Sequence, residues 1–358
     1  MGEIMSEGRD AVRYGIGEWY GRLIHSLTEK ELVAFAEIKN SHLSGLPCPF
    51  RQAAEPNVKC NKLGGVCSIR KHVAQADGGV TLDGPLVTLC PSRFWADNRI
   101  FANIGEKLLG TSVPDLVKEV PFLSSIVPIE ETAEVKDTGN TGEPGEETGL
   151  GKPVGRIDTI LVDPGDPSNW CALELQAVYF SGKGMGSHLA QYLDTSSIPV
   201  FPDKVRRPDF RSSGPKRLMP QLQTKVPTLR RWGKKMAVVV DLPFKKSLGQ
   251  LQRVKYVSNS DIVWFVVDYD TDSGELRIVE TIPTTLETSV EALTAGVPLS
   301  LELFESDMNR FLLGRRQAER KKVIRLSPPP SSTPNVDTTP VYSGSPVTVD
   351  ENGVAESD

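Results

Sequence analysis

Apolar positions near the N-terminus recur with helical spacing. In IGEWYGRLIHSL (residues 16–27) and ELVAFAEI (31–38), apolar side chains return every three or four positions, which predicts two helices. Thr28 and Glu31, in the intervening TEKE, resemble a capping box, in which the two residues satisfy backbone N–H groups at a helix start. Two further helices are predicted by RIFANIGEKLLG, which stops at Gly110, and by VPDLVKEV (113–120).

β-rich patterns dominate the second half of the chain. RIDTILV and WCALELQ flank a turn rich in Pro, Gly and Asp and predict a β-hairpin between Arg156 and Phe180. Three more strands are predicted by MAVVVDLPF, DIVWFVVDYD and ELRIVETI, and helices by GSHLAQYL and GPKRLMPQLQTKVPTLRRWGKK. Strands flanked by helices predict an α/β core with a mixed sheet.

Two polar segments interrupt these patterns. Residues 134–153 are glycine-rich and polar, which favours a loop or a flexible insertion. From Ser327 onward the chain is rich in Pro, Ser, Thr and acidic residues, which predicts a disordered tail. We therefore divide the chain into a helical, cysteine-bearing lobe (1–98), a core (99–326) and a tail (327–358).

Length and hydropathy set the class of protein. The 358 residues, 39% of them hydrophobic, are enough to bury an ordinary core. The sequence contains no run of about 18 uncharged apolar residues, and its first residues lack the apolar stretch of a secretory signal. A soluble cytoplasmic protein without a membrane partner is the expectation.

Charge is distributed unevenly along the chain. The net charge is −5, yet residues 204–256 hold fifteen Lys or Arg and two Asp, a local balance of +13. A concentrated basic segment can bind a phosphate backbone. A solvated lysine-rich surface explains the same charge about as well.

Four of the five cysteines fall within a short stretch. Cys48, Cys60, Cys67 and Cys90 occur in a Gly- and Pro-rich segment, and Gly64 and Gly65 precede Cys67. In a reducing compartment, clustered thiols favour a metal site over disulfides. Four thiolates suit zinc or a single iron ion, although the gaps between them match no zinc finger. The fifth, Cys171, is expected to be a small buried hydrophobe.

Polar residues in the hairpin lie on one face of an apolar strand. Glu174 and Gln176 are two residues apart and share a side, and hairpin pairing can bring Asp158 across to Glu174. Two converging carboxylates repel unless a cation lies between them. Magnesium, which binds carboxylate and phosphate oxygens, meets that need. Two exposed polar residues on a half-solvated strand would be the simpler explanation.

Together these motifs resemble the NotI family of type II restriction endonucleases. The order of the cysteines, the LELQ strand and FSGKGMGSHLAQYLD is similar to that family from about Cys48 to the MAVVVD strand. The resemblance implies a PD-(D/E)XK core with a mixed sheet flanked by helices, plus a small metal-stabilised N-terminal lobe. Glu-x-Gln stands where related nucleases usually carry Glu-x-Lys, with Gln176 in place of the lysine.

The resemblance also implies roles for individual residues. Asp158 and Glu174 would bind catalytic Mg²⁺, Gln176 would complete the site, and Glu134 is the candidate for an upstream glutamate. The four clustered cysteines would hold structural iron, with zinc as the alternative. The candidates for DNA contacts are Lys216, Arg217, Gln221, Gln223, Lys225, Arg230 and Arg231.

The implied activity is magnesium-dependent hydrolysis of double-stranded DNA at a GC-rich palindromic site. The partners would be a second copy of the chain, since a two-fold dimer cuts both strands symmetrically, and a DNA methyltransferase encoded nearby. Two other functions stay open: a nuclease of a repair or mobile-element system, and a metal-stabilised DNA-binding protein without catalysis.

Overall fold

The computed structural model describes residues 12–40, 46–62, 64–124, 153–182, 184–194, 198–294, 296 and 299–314. The described residues up to 296 belong to one compact unit, and residues 299–314 belong to a second. Across these described ranges, no helix combines the length and the apolar character needed to cross a membrane. The tail predicted over 327–358 lies outside the described residues.

Twelve strands form three sheets in the described part of the first unit. The first sheet has four strands, the second six and the third two. The strands are β1 (Val12–Trp19), β2 (Arg22–Leu23), β3 (Val66–Ala74), β4 (Val80–Thr88), β5 (Asp115–Ser124), β6 (Pro153–Asp163), β7 (Asp166–Leu175), β8 (Tyr179–Ser181), β9 (Arg207–Asp209), β10 (Met236–Asp241), β11 (Ile262–Tyr269) and β12 (Leu276–Thr284).

Helices cover both faces of the largest sheet. A π-helical turn (Gly214–Leu218) leads into the longest basic helix, and short 3₁₀ segments occur at Ile24–Ser26, Pro91–Asn98, Gln191–Leu193 and Val257–Asn259. The described α-helices are α1 (Glu29–Asn40), α2 (Arg99–Leu109), α3 (Gly186–Ala190), α4 (Phe210–Ser213), α5 (Met219–Arg231), α6 (Leu242–Lys246), α7 (Leu286–Thr294) and, in the second unit, α8 (Leu301–Leu312).

The six-stranded sheet is mixed, as the sequence predicts. Its order is β12, β11, β10, β7, β6, β5. Strand β10 runs parallel to both β7 and β11, and the remaining neighbours are antiparallel. The predicted hairpin is β6 and β7, and the three later strands are β10, β11 and β12, so these predictions are confirmed.

The core lies on both faces of this sheet. Every residue of β10 is buried, and successive side chains of a strand point to opposite faces. Val239 packs in one cluster with Phe101 and Ile104 of α2. Val238 packs in the other with residues of α5 such as Leu222 and with Leu293 of α7. Helix α5 therefore covers the face onto which Val238 and its neighbours in β7 project.

Two helix signals in the sequence are confirmed in atomic detail. At the start of α1, the N–H of Thr28 donates to Oε2 of Glu31 at 2.9 Å, and the N–H of Glu31 donates to Oγ1 of Thr28 at 3.4 Å. This is the reciprocal pattern of a capping box. Helix α2 ends at Gly110, whose φ of 76° is left-handed, a conformation that costs glycine little.

The helix predicted over residues 16–27 is wrong. This segment is the end of β1, a turn, β2 and a 3₁₀ turn. Its apolar side chains are buried as helical spacing would require, but β1 is buried on both faces and Tyr20 and Gly21, with φ of 45° and 79°, reverse the chain. A doubly buried strand followed by a turn thus imitates the helical period. The N-terminal lobe, predicted as helical, is built largely on a four-stranded sheet.

The helix predicted over residues 113–120 is also wrong, because residues 115–120 belong to the edge strand β5. Residues of β5 pair with β6, for example Val117 with Ile160. The strand is half exposed along its length, so its polar and apolar residues fit either an amphipathic helix or an edge strand. Pairing with β6, over forty residues away in places, decides between them.

One residue joins the two larger sheets. Strand β4 ends at Thr88, whose N–H donates to Oδ2 of Asp241 at the end of β10, at 2.6 Å. The carbonyl of Thr88 accepts from the N–H of Val178, just beyond β7, at 2.8 Å. The chain after β4, which includes Cys90, is therefore fixed beside the carboxyl ends of β7 and β10.

Candidate active site

The hairpin brings Asp158 and Glu174 together. Thr159 pairs with Leu173 and Ile160 with Ala172, and this register continued by one residue places Asp158 opposite Glu174. Directly opposed residues of an antiparallel pair point to the same face. Glu174 is 6% exposed, whereas the side chain of Asp158 is 53% exposed. The pair therefore joins a buried carboxylate to one that faces solvent.

A lysine from α5 lies between these carboxylates. Nζ of Lys225 donates to Oε2 of Glu174 at 3.0 Å and to Oδ2 of Asp158 at 3.2 Å. It also donates to Oε1 of Gln221, one helical turn earlier, at 2.8 Å. Lys225 is 5% exposed. The sequence suggests that Lys225 is a surface lysine that contacts DNA phosphates. In the structure it is instead buried and hydrogen-bonded to the two carboxylates.

Burial dominates the electrostatics of the pair. It raises the pKa of Glu174, and Asp158 adds to that effect while Lys225 opposes it. Burial works to lower the pKa of Lys225, but the charges of Glu174 and Asp158 leave it above its usual value. The ammonium thus keeps its proton because two carboxylates surround it.

Gln176 lies beside the pair without contacting it in this arrangement. Its Nε2 donates to the carbonyl of Ala177, and its N–H donates to the carbonyl of Val239 at 3.0 Å. The side chain is 6% exposed and lines the same cleft as Glu174. Glu134, the other candidate carboxylate, lies outside the described residues.

Both carboxylates line a cleft with a volume of about 460 Å³. The cysteine-bearing segment contributes Lys62 to its lining, and the π-helical turn contributes Arg217. The guanidinium of Arg217 lies 3.6 Å from the ring centre of Tyr179, a stacking contact that orients it. The remaining lining residues are Leu89, Pro91, Thr159, Leu173, Leu175, Ala177 and Gln221. Binding of a phosphate backbone at a metal site requires carboxylates to hold the metal and cationic side chains nearby to contact the phosphates, and this cleft contains both.

The other candidates for DNA contacts fall into two groups. Lys216, Gln223 and Arg231 are exposed. Arg230 is exposed as well, but it forms ion pairs with Asp261 at 2.6 Å and Glu287 at 3.0 Å, so its charge is already balanced. The basic segment therefore presents fewer uncompensated cations than its composition suggests.

Backbone hydrogen bonds arrange the four clustered cysteines in two pairs, Cys48 with Cys60 and Cys67 with Cys90. The N–H of Cys48 donates to Val58 and that of Cys60 to Leu46, both at 2.8 Å. The N–H of Cys90 donates to the carbonyl of Cys67 at 3.1 Å. The tight turn at Gly64 and Gly65 uses left-handed φ values of 84° and 70°, and a Cβ on Gly65 would meet the Tyr20 ring at 2.4 Å. Glycine is thus required where the chain returns to Cys67.

The thiols influence one another electrostatically. Burial raises the pKa of Cys60, and Cys90 and Cys48 add to the effect. Burial also raises the pKa of Cys67, followed in size by Glu18 and Cys90. The cysteines are free thiols, and within the described ranges no three or more His, Cys, Asp or Glu side chains are spaced to hold a metal ion. The four thiol groups are therefore of the right chemical type to bind a metal, but the distances between them in this structure do not define a metal site.

Cys171 stands apart from the other cysteines. It lies in β7, is 2% exposed and packs among apolar residues of the sheet. Burial raises its pKa to about 12. The prediction that it is a small buried hydrophobe is confirmed.

Two lining residues escape sequence reasoning. Lys62 stands alone between Cys60 and Cys67, and Tyr179 follows the motif strand by a few residues. Neither carries a motif of its own. The signal in the sequence is the position of Lys62 between two candidate metal ligands, because a metal bound there would also fix the location of this lysine.

Comparison with known proteins agrees with this geometry. The family model described as restriction endonuclease NotI matches residues 33–278, more than half of the chain, and this range includes the cysteines and the hairpin. Among curated proteins, no relative matches the chain. The mixed sheet flanked by helices fits a restriction-endonuclease-like fold. The chain therefore belongs to the NotI family of restriction endonucleases, enzymes that cut DNA.

Proposed function

We propose that this protein is a type II restriction endonuclease that hydrolyses double-stranded DNA with magnesium at a PD-(D/E)XK site. The observation that carries the proposal is the meeting of Asp158 and Glu174 on one face of the hairpin. Family membership supports the reaction class. The site it reads is a specific, GC-rich palindrome.

Asp158 and Glu174 suit a hard divalent cation. Carboxylate oxygens are the ligands that Mg²⁺ prefers, with phosphate oxygens and water completing its shell. Lys225 already offsets the charge of this pair, which supports the idea that the site is built around a cation. Bound magnesium would lower the pKa of an attacking water and stabilise negative charge at phosphorus.

The protein's own groups would orient the DNA. Arg217 and Lys62, which line the cleft, would bind backbone phosphates. Gln176 would orient water through its amide, but it carries no charge. Among the exposed candidates, Lys216 and Arg231 would contact phosphates and Gln223 would reach base edges. Gln221, which is partly exposed in the cleft, would reach base edges through its amide nitrogen.

The four cysteines would hold one structural iron ion, with zinc as the alternative metal. Their support is the thiolate donor set and the two backbone pairs that bring them together. The residues on either side, Lys62, Leu89 and Pro91, line the cleft. A metal here would therefore fix one wall of the cleft as well as the lobe itself. It takes no part in the hydrolytic step.

The enzyme would act as a homodimer, because a palindromic site presents two equivalent phosphodiesters to a two-fold assembly. A restriction enzyme also requires protection of the host's own sites. A DNA methyltransferase of the same specificity should accordingly be encoded nearby.

Digestion of mixed genomic DNA tests the proposal. Purified protein with Mg²⁺ should give fragments whose sequenced ends share one palindromic sequence. Glu174→Ala protein should give none, and neither should wild type with EDTA in place of magnesium.

Other outcomes select the competing functions. Ends without a common sequence would favour a repair or mobile-element nuclease. Tight binding to a defined sequence without cleavage would favour a DNA-binding protein. Full cleavage by the Glu174→Ala variant would remove the proposed site.

A further inference from the structure

The candidate metal ligands share a buried ammonium group. Lys225, Glu174 and one edge of Asp158 are held in a single cluster by bonds of 3.0 and 3.2 Å. An ammonium has three N–H groups, and Gln221 accepts the third at 2.8 Å. All three donors of Lys225 are thus satisfied, which fixes the position of Nζ.

The direction from which the lysine arrives matters. Glu174 projects from β7 and Lys225 from α5, the helix that covers this face of the sheet. Asp158, Glu174 and Gln221 line the cleft, whereas Lys225 does not. Lys225 contacts one oxygen of each carboxylate from the side of the helix, while the carboxylates themselves reach the cleft.

The strand does not supply this charge. Gln176, which lines the same cleft, donates to the Ala177 carbonyl and is neutral. Without a cation, two carboxylates in contact repel, and the buried one is costly to ionise. Lys225 both offsets this repulsion and sets the separation of the two groups.

We infer that Lys225 is the positioning residue of this active site, a helix-borne cation that holds Asp158 and Glu174 in the positions from which they would bind a metal ion. This inference rests on the proposed function. In this role Lys225 affects cleavage by positioning the two carboxylates and does not contact DNA itself. Loss of its charge should therefore change metal binding and the rate of cleavage in different directions.

The test compares Lys225→Met with wild type and with Lys107→Met. Lys107 is an exposed lysine of α2, on the opposite face of the sheet, so it controls for the loss of one charge. Two quantities are measured: the affinity for Ca²⁺ without DNA, by calorimetry, and the single-turnover rate of cleavage at saturating Mg²⁺.

The Lys225→Met variant should bind Ca²⁺ about 10-fold more tightly, because a positive charge beside the ligands is removed. It should cleave about 100-fold more slowly, because small misplacements of reacting groups are costly. Lys107→Met should match wild type in both measurements.

An unchanged rate with tighter Ca²⁺ binding would overturn the inference, since Lys225 would then only compete with the metal. A slower rate with unchanged Ca²⁺ affinity would also overturn it, since the charge of Lys225 would then not act on the two carboxylates.

Lys225→Arg keeps the test decisive if the Met variant does not fold. It preserves the charge, but a planar guanidinium cannot reproduce three bonds from one nitrogen. The rate should fall about 10-fold with Ca²⁺ affinity unchanged, and a wild-type rate would contradict the inference. Glu174→Gln separates this result from the proposed function. If it cleaves normally, the proposed site is wrong; if it is inactive while both Lys225 variants cleave normally, only the inference fails.

Discussion

The carboxylate pair and the four cysteines are both metal sites according to the sequence, but the fold organises them differently. The carboxylates lie on paired strands, where the ladder sets their distance and a lysine already links them. The cysteines lie on loops and strand ends, where backbone bonds bring them together in pairs, and the described ranges contain no group of three ligands spaced to hold a metal ion. A ladder positions ligands before a metal binds, whereas loops gain their final geometry from the metal itself.

Removal of either carboxylate should have the largest effect. Asp158→Ala and Glu174→Ala should lower the cleavage rate by more than about 1,000-fold, since metal ligation is lost. Because the ladder positions the site, the folded structure should persist. Single-turnover cleavage and circular dichroism measure the two effects. Measurable cleavage at the wild-type rate would show that the metal ligands lie elsewhere.

Loss of one clustered cysteine should remove its metal and destabilise the lobe. Wild type should contain about one iron or zinc ion per chain by elemental analysis. Cys60→Ser and Cys67→Ser should lose it and unfold at a lower temperature, because binding energy at such sites is folding energy. Cys171→Ala is the matched control and should retain the metal. Equal metal content in all these proteins, or none in wild type, would contradict the site. Oxidised iron would colour the protein, whereas zinc would not.

A buried ion pair beside the cysteines allows a stability comparison. Arg93, three residues after Cys90, pairs with Glu18 at 2.9 Å and donates to the carbonyl of Gly274. Arg93→Met should cost about 3–5 kcal/mol in the free energy of unfolding, because Glu18 is left buried without a partner.

Arg99→Met is the matched control for that change. Arg99 pairs with Glu275, next to Gly274, but both side chains are about half exposed. Its loss should cost less than about 1 kcal/mol. Denaturant unfolding measures both variants, and equal costs would show that burial adds nothing to the contribution of the Arg93–Glu18 pair.

The basic segment should divide into effective and balanced cations. Arg217→Ala should weaken DNA binding in Ca²⁺ about 10-fold and reduce the slope of log affinity against log salt by about one. Arg230→Ala should have little effect, because Asp261 and Glu287 already balance its charge. Binding titrations at several salt concentrations test this, and equal losses in the two variants would show that the ion pairs open on DNA.

Deletion of residues 327–358 should have the smallest effect. Their composition cannot form a packed core, so cleavage in vitro and the melting temperature should stay close to those of the full chain. A large fall in melting temperature would show that the tail packs against the folded protein.

The sequence by itself determines much of the sheet and half of the site. The hairpin, the three later strands, α1 and α2 follow from local signals: alternation, apolar runs, a capping box and a terminal glycine. Asp158 and Glu174 meet because both lie on strands of one hairpin, so their separation along the chain fixes their register. The two wrong helices mark the limit of this reasoning, since β1 and β5 owe their conformation to pairing with strands elsewhere in the chain.

Only the tertiary structure decides what surrounds the pair. No local pattern distinguishes Lys225 from the other cations of its basic segment, because its burial depends on the packing of α5 against β7 and β10. The same holds for Lys62, which lines the cleft beside Asp158 although the two residues are far apart in the chain. Local interactions specify helices and strands, and they specify the strand register where the paired strands are close together in the sequence. The charges that meet at a site come from distant residues, and their proximity is set by how whole layers pack.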